Sequence, residues 1–66
     1  MEGIYKGVTP MTPYGYMRVL TIETNGKEHT YTVGFEKIER QTKDLKIGDK
    51  IRIDYENYDN FRIKRI

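Results

Sequence analysis

"YGYMRVLTIETNGKEHTYTVGF", residues 14–35, decides the fold. Asn25-Gly26 stands at its centre, and both residues tolerate the positive φ of a two-residue type I′ turn. Runs of β-branched and aromatic residues lie on either side, so the stretch reads as a hairpin. A two-residue turn fixes the register. Thr24 faces Lys27, Ile22 faces His29, Leu20 faces Tyr31, Arg18 faces Val33 and Tyr16 faces Phe35. This row gathers Tyr16, Leu20, Ile22, Tyr31, Val33 and Phe35 on one face, the expected core face. The opposite row pairs Met17 with Gly34, Val19 with Thr32, Thr21 with Thr30 and Glu23 with Glu28, and is expected to face solvent. Arg18 falls on the core side, where a bulge or a rim position would let its guanidinium reach water.

The pattern continues outward from the hairpin. GIYKGV, residues 3–8, reads as a first strand with Tyr5 pointing opposite to Ile4 and exposed. TPMTP, residues 9–13, is expected to be a loop or irregular edge, because neither proline has an N–H to donate. KIRIDYE, residues 50–56, alternates, with Ile51, Ile53 and Tyr55 one way and Lys50, Arg52, Asp54 and Glu56 the other. FRIKRI, residues 61–66, alternates with Phe61 and Ile63 inward. These two apolar rows share a face if NYDN, residues 57–60, supplies an odd offset, with Asp59 or Asn60 left-handed. Asp54 or Glu56 then stands opposite Arg62 or Lys64.

Residues 36–46 connect the two β units. Phe35 and Ile38 are at helical spacing, so EKIER suits one or two helical turns or an irregular lid anchored by Ile38 and Leu45. Ile47-Gly48-Asp49 reads as a tight turn into the next strand. Composition agrees with an all-β chain. The 66 residues include no alanine, serine, cysteine or tryptophan, but six tyrosines and many Ile, Val and Thr. Without cysteine there is no disulfide staple and no thiolate metal site.

A three-strand meander, a short connector and a two-strand hairpin across residues 1–66 resemble the OB-fold, a five-stranded Greek-key β-barrel. DLKIGDKIRI, residues 44–53, is similar to the approach into an alternating strand seen in many small barrels. An SH3-like barrel is the alternative. The expected architecture is one small all-β domain, a five-stranded OB-like barrel with a helical or irregular connector between strands three and four.

Catalysis is not expected. There is no Ser or Cys nucleophile, and the single histidine, His29, lies within the first hairpin. Asp54, Glu56 and Asp59 alternate with basic residues as surface ion pairs do. No metal or cofactor motif is present, so neither is expected. MEGIYKG at the start has no basic apolar leader and no apolar run approaches membrane-spanning length, so a cytoplasmic protein without membrane contact is expected.

The net charge is +2, and its excess is local: residues 1–42 carry five Lys/Arg and five Asp/Glu, residues 43–66 seven and five. The OB-like resemblance implies binding of single-stranded DNA or RNA on the outer face of strands two and three. That face has no aromatic residue in the register derived above, so the residues favour other positions. Tyrosines interleaved with Lys and Arg can stack bases and hold phosphates. The candidates are Tyr14, Tyr16, Arg18, Lys50, Arg52, Tyr58, Arg62 and Lys64. The expected function is a non-enzymatic module binding single-stranded nucleic acid weakly through this basic, tyrosine-bearing side. The alternative is a protein-interaction or self-assembly module, such as a small accessory or inhibitor protein. For it the stiff apolar loop bearing Met11, Pro13 and Tyr14 is the candidate contact.

Overall fold

The computed structural model describes residues 1–11, 13 and 15–66. Chain order is β1 (Glu2–Pro10), β2 (Met17–Thr24), β3 (Lys27–Gly34), α1 (Phe35–Thr42), β4 (Lys50–Asn57) and β5 (Asn60–Arg65). The strands make one sheet in the order β3-β2-β1-β4-β5, with every pair antiparallel. The protein is therefore all-β with one small helix. The sheet is not closed: among the described residues no ladder joins β3 to β5.

The first hairpin has the register that its turn dictates, from Met17 opposite Gly34 to Thr24 opposite Lys27. Asn25 and Gly26 have φ of 53° and 79°, as a type I′ turn requires. Leu20, Ile22 and Val33 are fully buried. The apolar row stops short at its open end. Tyr16 was expected inward but is 64% exposed, because β2 starts only at Met17 and a turn at residues 15–16 carries its side chain out. Phe35 is half-buried and is the first residue of α1 rather than the last of β3. Arg18 uses the rim: it donates to the carbonyls of Gly15 (2.7 Å) and Met17 (2.9 Å), and its guanidinium lies 4.7 Å from the Phe35 ring centroid.

β1 belongs to two ladders. Ile4 to Pro10 pair with β2, while Glu2 to Ile4 pair with β4. A bulge at Lys6, between Tyr5 and Gly7, shifts the side-chain phase, and Gly7 takes φ of 111° there. Tyr5 thus stands opposite Ile22 and Val8 opposite Leu20, both on the core side. This corrects the strict alternation: Tyr5 is buried at 8% exposure, and Ile4 is half-buried. The proline-bearing stretch is corrected in part, since Thr9 and Pro10 belong to β1 opposite Val19 and Arg18. Proline is tolerated here because the ladder to β4 ends at Ile4, leaving this part of β1 an edge.

In the second hairpin Asp54 stands opposite Arg62, Arg52 opposite Lys64 and Tyr55 opposite Phe61. The odd offset comes from a bulge at Glu56 and a two-residue turn, Tyr58-Asp59. Asp59 and Asn60 are not left-handed; Asn25 is the one described non-glycine residue with positive φ. Instead the Asn57 Oδ1 accepts from the Asp59 N–H at 2.9 Å, which turns the chain with a side chain.

The connector is a helix. α1 buries Ile38 and packs against β2, β3 and β5. Leu45 and Tyr31 are half-buried against the core formed by Tyr5, Leu20, Ile22, Val33, Ile38, Ile51, Ile53, Phe61 and Ile63. Gln41 serves the edge of β5: its Nε2 donates to the Phe61 carbonyl (3.1 Å) and its Oε1 accepts from the Ile63 N–H (2.6 Å). One carboxamide thereby replaces a neighbouring strand. Gln41→Ala should cost about 1–3 kcal/mol in urea denaturation, since two edge groups lose their partner.

Gly3 sits where β1 passes from one ladder to the other. A Cβ there would lie 2.5 Å from Ile22 Cγ2 and 2.6 Å from the Glu23 carbonyl oxygen. Gly3→Ala should therefore destabilise by about 1–3 kcal/mol through overpacking against backbone that cannot retreat, read as a lowered denaturation midpoint.

Candidate nucleic-acid interface

The junction of β3 and α1 organises the most distinctive surface. Gly34, at the start of α1, is extended, with no side-chain cap. The open amides are taken instead by backbone carbonyls from two distant segments. Phe35 N–H donates to the Tyr16 carbonyl at 2.9 Å, and Gly34 N–H donates to the Tyr58 carbonyl at 2.8 Å. These bonds set Tyr16 and Tyr58 on either side of the junction. Their side chains remain 64% and 49% exposed.

Between them runs an open groove of about 490 Å³, with Phe35, Lys37 and Arg40 in its lining. Lys37 is aimed by two contacts: its Nζ donates to the Asp59 carbonyl at 3.0 Å and stands 5.4 Å from the Phe61 ring centroid. Arg18 lies over Phe35. Three cations here oppose two carboxylates, Glu36 and Asp59. Two exposed rings and an excess of cations form a surface suited to flat, anionic ligands.

The sequence-derived candidates thus divide. Tyr16, Arg18 and Tyr58 come together. Lys50, Arg52, Arg62 and Lys64 form a separate row along the outer face of β4 and β5, all exposed. At about 3.4 Å per residue, Lys50 lies roughly 24 Å and Lys64 roughly 14 Å from the strand ends that carry the Tyr58-Asp59 turn. Arg52 is already engaged: its Nε donates to Glu2 Oε2 at 3.2 Å, and a second bond comes from Nη2. That hydrogen bond, and then the guanidinium charge, hold the Glu2 carboxyl below its ordinary range, while Glu2 raises Arg52. Met11 is half-buried and Pro13 exposed; Tyr14 lies outside the described residues. Phe35, Lys37 and Arg40 were not among the candidates. The i, i+3 spacing of Lys37 and Arg40 places them together only once the connector is known to be helical and to abut Tyr58.

The outer face of β2 and β3 carries Met17, Val19, Thr21, Thr30 and Thr32, with no aromatic side chain. Among the described residues no three His, Asp or Glu side chains group as a metal site would require, and no helix is long and apolar enough to cross a membrane. Comparison with known proteins finds no matching family, no matching curated protein and no matching solved structure.

The Glu2–Arg52 pair has a defined pH signature. A carboxyl whose folded value is lowered contributes stability above its unfolded value and loses it as pH falls through the folded one. Glu2→Gln should therefore lower stability slightly near neutral pH, and the difference from wild type should vanish in acid. Urea denaturation of both proteins across a pH series measures this.

Proposed function

We propose that this chain is a small non-enzymatic binding module that takes single-stranded nucleic acid across the groove between Tyr16 and Tyr58. One observation carries this reading: the backbone of Gly34 and Phe35 ties together two exposed tyrosines from distant segments, beside three cations. Aromatic stacking contributes about 1–3 kcal/mol per base and tolerates any base, because each has a π-face. Arg18, Lys37 and Arg40 meet the phosphates. Stacking on rings and attraction to phosphates read no base edge, so recognition is weak and indifferent to sequence. The strand order, with α1 between β3 and β4, supports an OB-like arrangement in which β3 and β5 are the two edge strands, left unjoined. In OB-fold barrels the β1–β2 connection and the β4–β5 turn flank the bound strand; Tyr16 and Tyr58 occupy those two places. A second reading, a protein-interaction or self-assembly module, is favoured by the free edge of β3.

Fluorescence anisotropy with a labelled oligothymidylate at low salt tests the groove. Tyr16→Ala and Tyr58→Ala should each weaken binding by about 1–3 kcal/mol, with little change in the salt slope. Arg40→Ala should reduce that slope by about 0.7, the value for one phosphate contact on a single strand. Amide shifts should appear at Tyr16, Phe35 and Tyr58. Shifts confined to residues 50–52 and 62–64 would move the site to the outer face of β4 and β5. No shift at about 1 mM oligonucleotide, a Kd that would be worth only about 4 kcal/mol, would end the nucleic-acid reading.

A further inference from the structure

The two outer edges of the sheet are treated differently. β5 is covered, with Gln41 taking the Phe61 carbonyl and the Ile63 N–H. β3 is tied only at its end: Gly34 N–H donates to the Tyr58 carbonyl, and the Thr32 carbonyl accepts from the Tyr55 hydroxyl at 2.7 Å. Those two bonds show which residues of β3 turn their backbone away from β2. They are the even-numbered ones, Glu28, Thr30, Thr32 and Gly34. Among the described residues, nothing pairs with the outward amides and carbonyls of Glu28 and Thr30. Natural edges are usually blunted by Lys, Pro or a bulge. From Glu28 to Val33 there is no Lys, Pro or bulge, Glu28 is the one charged side chain, and Thr30 to Val33 are strong strand formers.

We infer that β3 pairs edge to edge with β3 of a second copy, antiparallel, about a two-fold axis at Thr30. The register follows from the chemistry. An axis at Glu28 would set two carboxylates directly opposite each other. An axis at His29 forms fewer backbone bonds, and one at Tyr31 needs the Gly34 N–H that Tyr58 already holds. With the axis at Thr30, Glu28 stands opposite Thr32 of the second copy and Thr30 opposite its own equivalent. Every outward amide and carbonyl from Glu28 to Thr32 is then paired, and no like charges meet. On the inner side His29 comes to rest beside Tyr31 of the second copy. This covers the Tyr31–Tyr55 ring pair, whose centroids are 4.9 Å apart and which is only half-buried at the open side of the sheet. A small interface of this kind forms a weak, concentration-dependent dimer. With the axis at Thr30 the turn of the second copy, at its Gly26, comes opposite Gly34 at the rim of the groove, so dimerisation and oligonucleotide binding are read by separate variants, Thr30 for the one and Tyr16 and Tyr58 for the other.

Sedimentation equilibrium of the full chain, with hydrogen exchange at low and high concentration, tests this. The expected result is a dimer with slowed exchange at the Glu28 and Thr30 amides. Thr30→Lys places two ammonium groups on the axis, and Thr30→Pro removes the central donor. Each should raise the dissociation constant about tenfold or more. Thr30 is exposed and its N–H lies outside the β2–β3 ladder, so the monomer fold should survive, as checked by circular dichroism. The exchange pattern of the wild-type chain decides the matter even where a variant fails to fold. A monomer at about 1 mM, a dimer indifferent to both variants, or exchange at Glu28 and Thr30 that ignores concentration would each overturn the inference.

Discussion

The fold depends on one crowded crossing. β1 joins the two halves of the sheet, pairing with β2 along most of its length and with β4 at its start. At Ile4 it is paired on both sides, and at the preceding Gly3 there is no room for a Cβ. Three residues further on, the bulge at Lys6 turns the strand so that Tyr5 and Val8 both reach the core. The Tyr5 backbone, released from β4, is taken up by the turn before it: its N–H donates to Asp49 O at 2.8 Å, and its carbonyl accepts from the Gly48 N–H at 2.9 Å. Without this bend the two hairpins could not bring Leu20, Ile22, Ile51 and Ile53 to a single core.

A bent sheet that does not close leaves two edges, and the helix addresses one of them. Ile38 fills the core from above, while Gln41, one turn on, pairs with β5 through its carboxamide. An unpaired N–H or carbonyl near an apolar core costs more than the net worth of a hydrogen bond. That is why an amide side chain at this position matters out of proportion to its size. Among the described residues, the outer side of β3 receives the Tyr55 hydroxyl and the Tyr58 carbonyl and no more. The difference between the two edges also separates the two readings of function, since the groove lies at the end of β3 and the open edge lies along it.

The candidate site rests on a division between backbone and side chain. The carbonyls of Tyr16 and Tyr58 serve the fold by accepting from Phe35 and Gly34, and their rings are left outside. A ring fixed at its root loses little entropy on stacking, which is the useful property of a rigid aromatic platform. The basic row on β4 and β5 has no such platform, and Arg52 within it is already paired with Glu2. Such exposed pairs are weak and exchange readily with solvent ions, so this row supplies positive potential rather than geometry.

Local rules made the two hairpins legible. Asn25-Gly26 permits one turn type, that turn permits one register, and the alternation of apolar residues names Leu20, Ile22, Val33, Ile51, Ile53, Phe61 and Ile63 as core. Tyr58 could be marked as a candidate because a large side chain at a turn is visible in a sequence, and Tyr16 and Arg18 because they stand beside the proline-bearing loop and at the rim. The errors share one cause. Tyr5 was assigned outward because alternation carries no sign of a bulge, which is a response to the neighbouring strand. Tyr16 was assigned inward because the register says where a row points, not where it ends. Phe35, Lys37 and Arg40 were overlooked because they join Tyr16 and Tyr58 only through backbone bonds between segments far apart in the chain. Periodicity is a property of one strand and its turn, so the sequence by itself determined the strands, their pairing in hairpins and most of the core. The bend at β1, the covering of β5 by Gln41 and the meeting of the two tyrosines depend on how separate elements pack, and only the tertiary structure decided them.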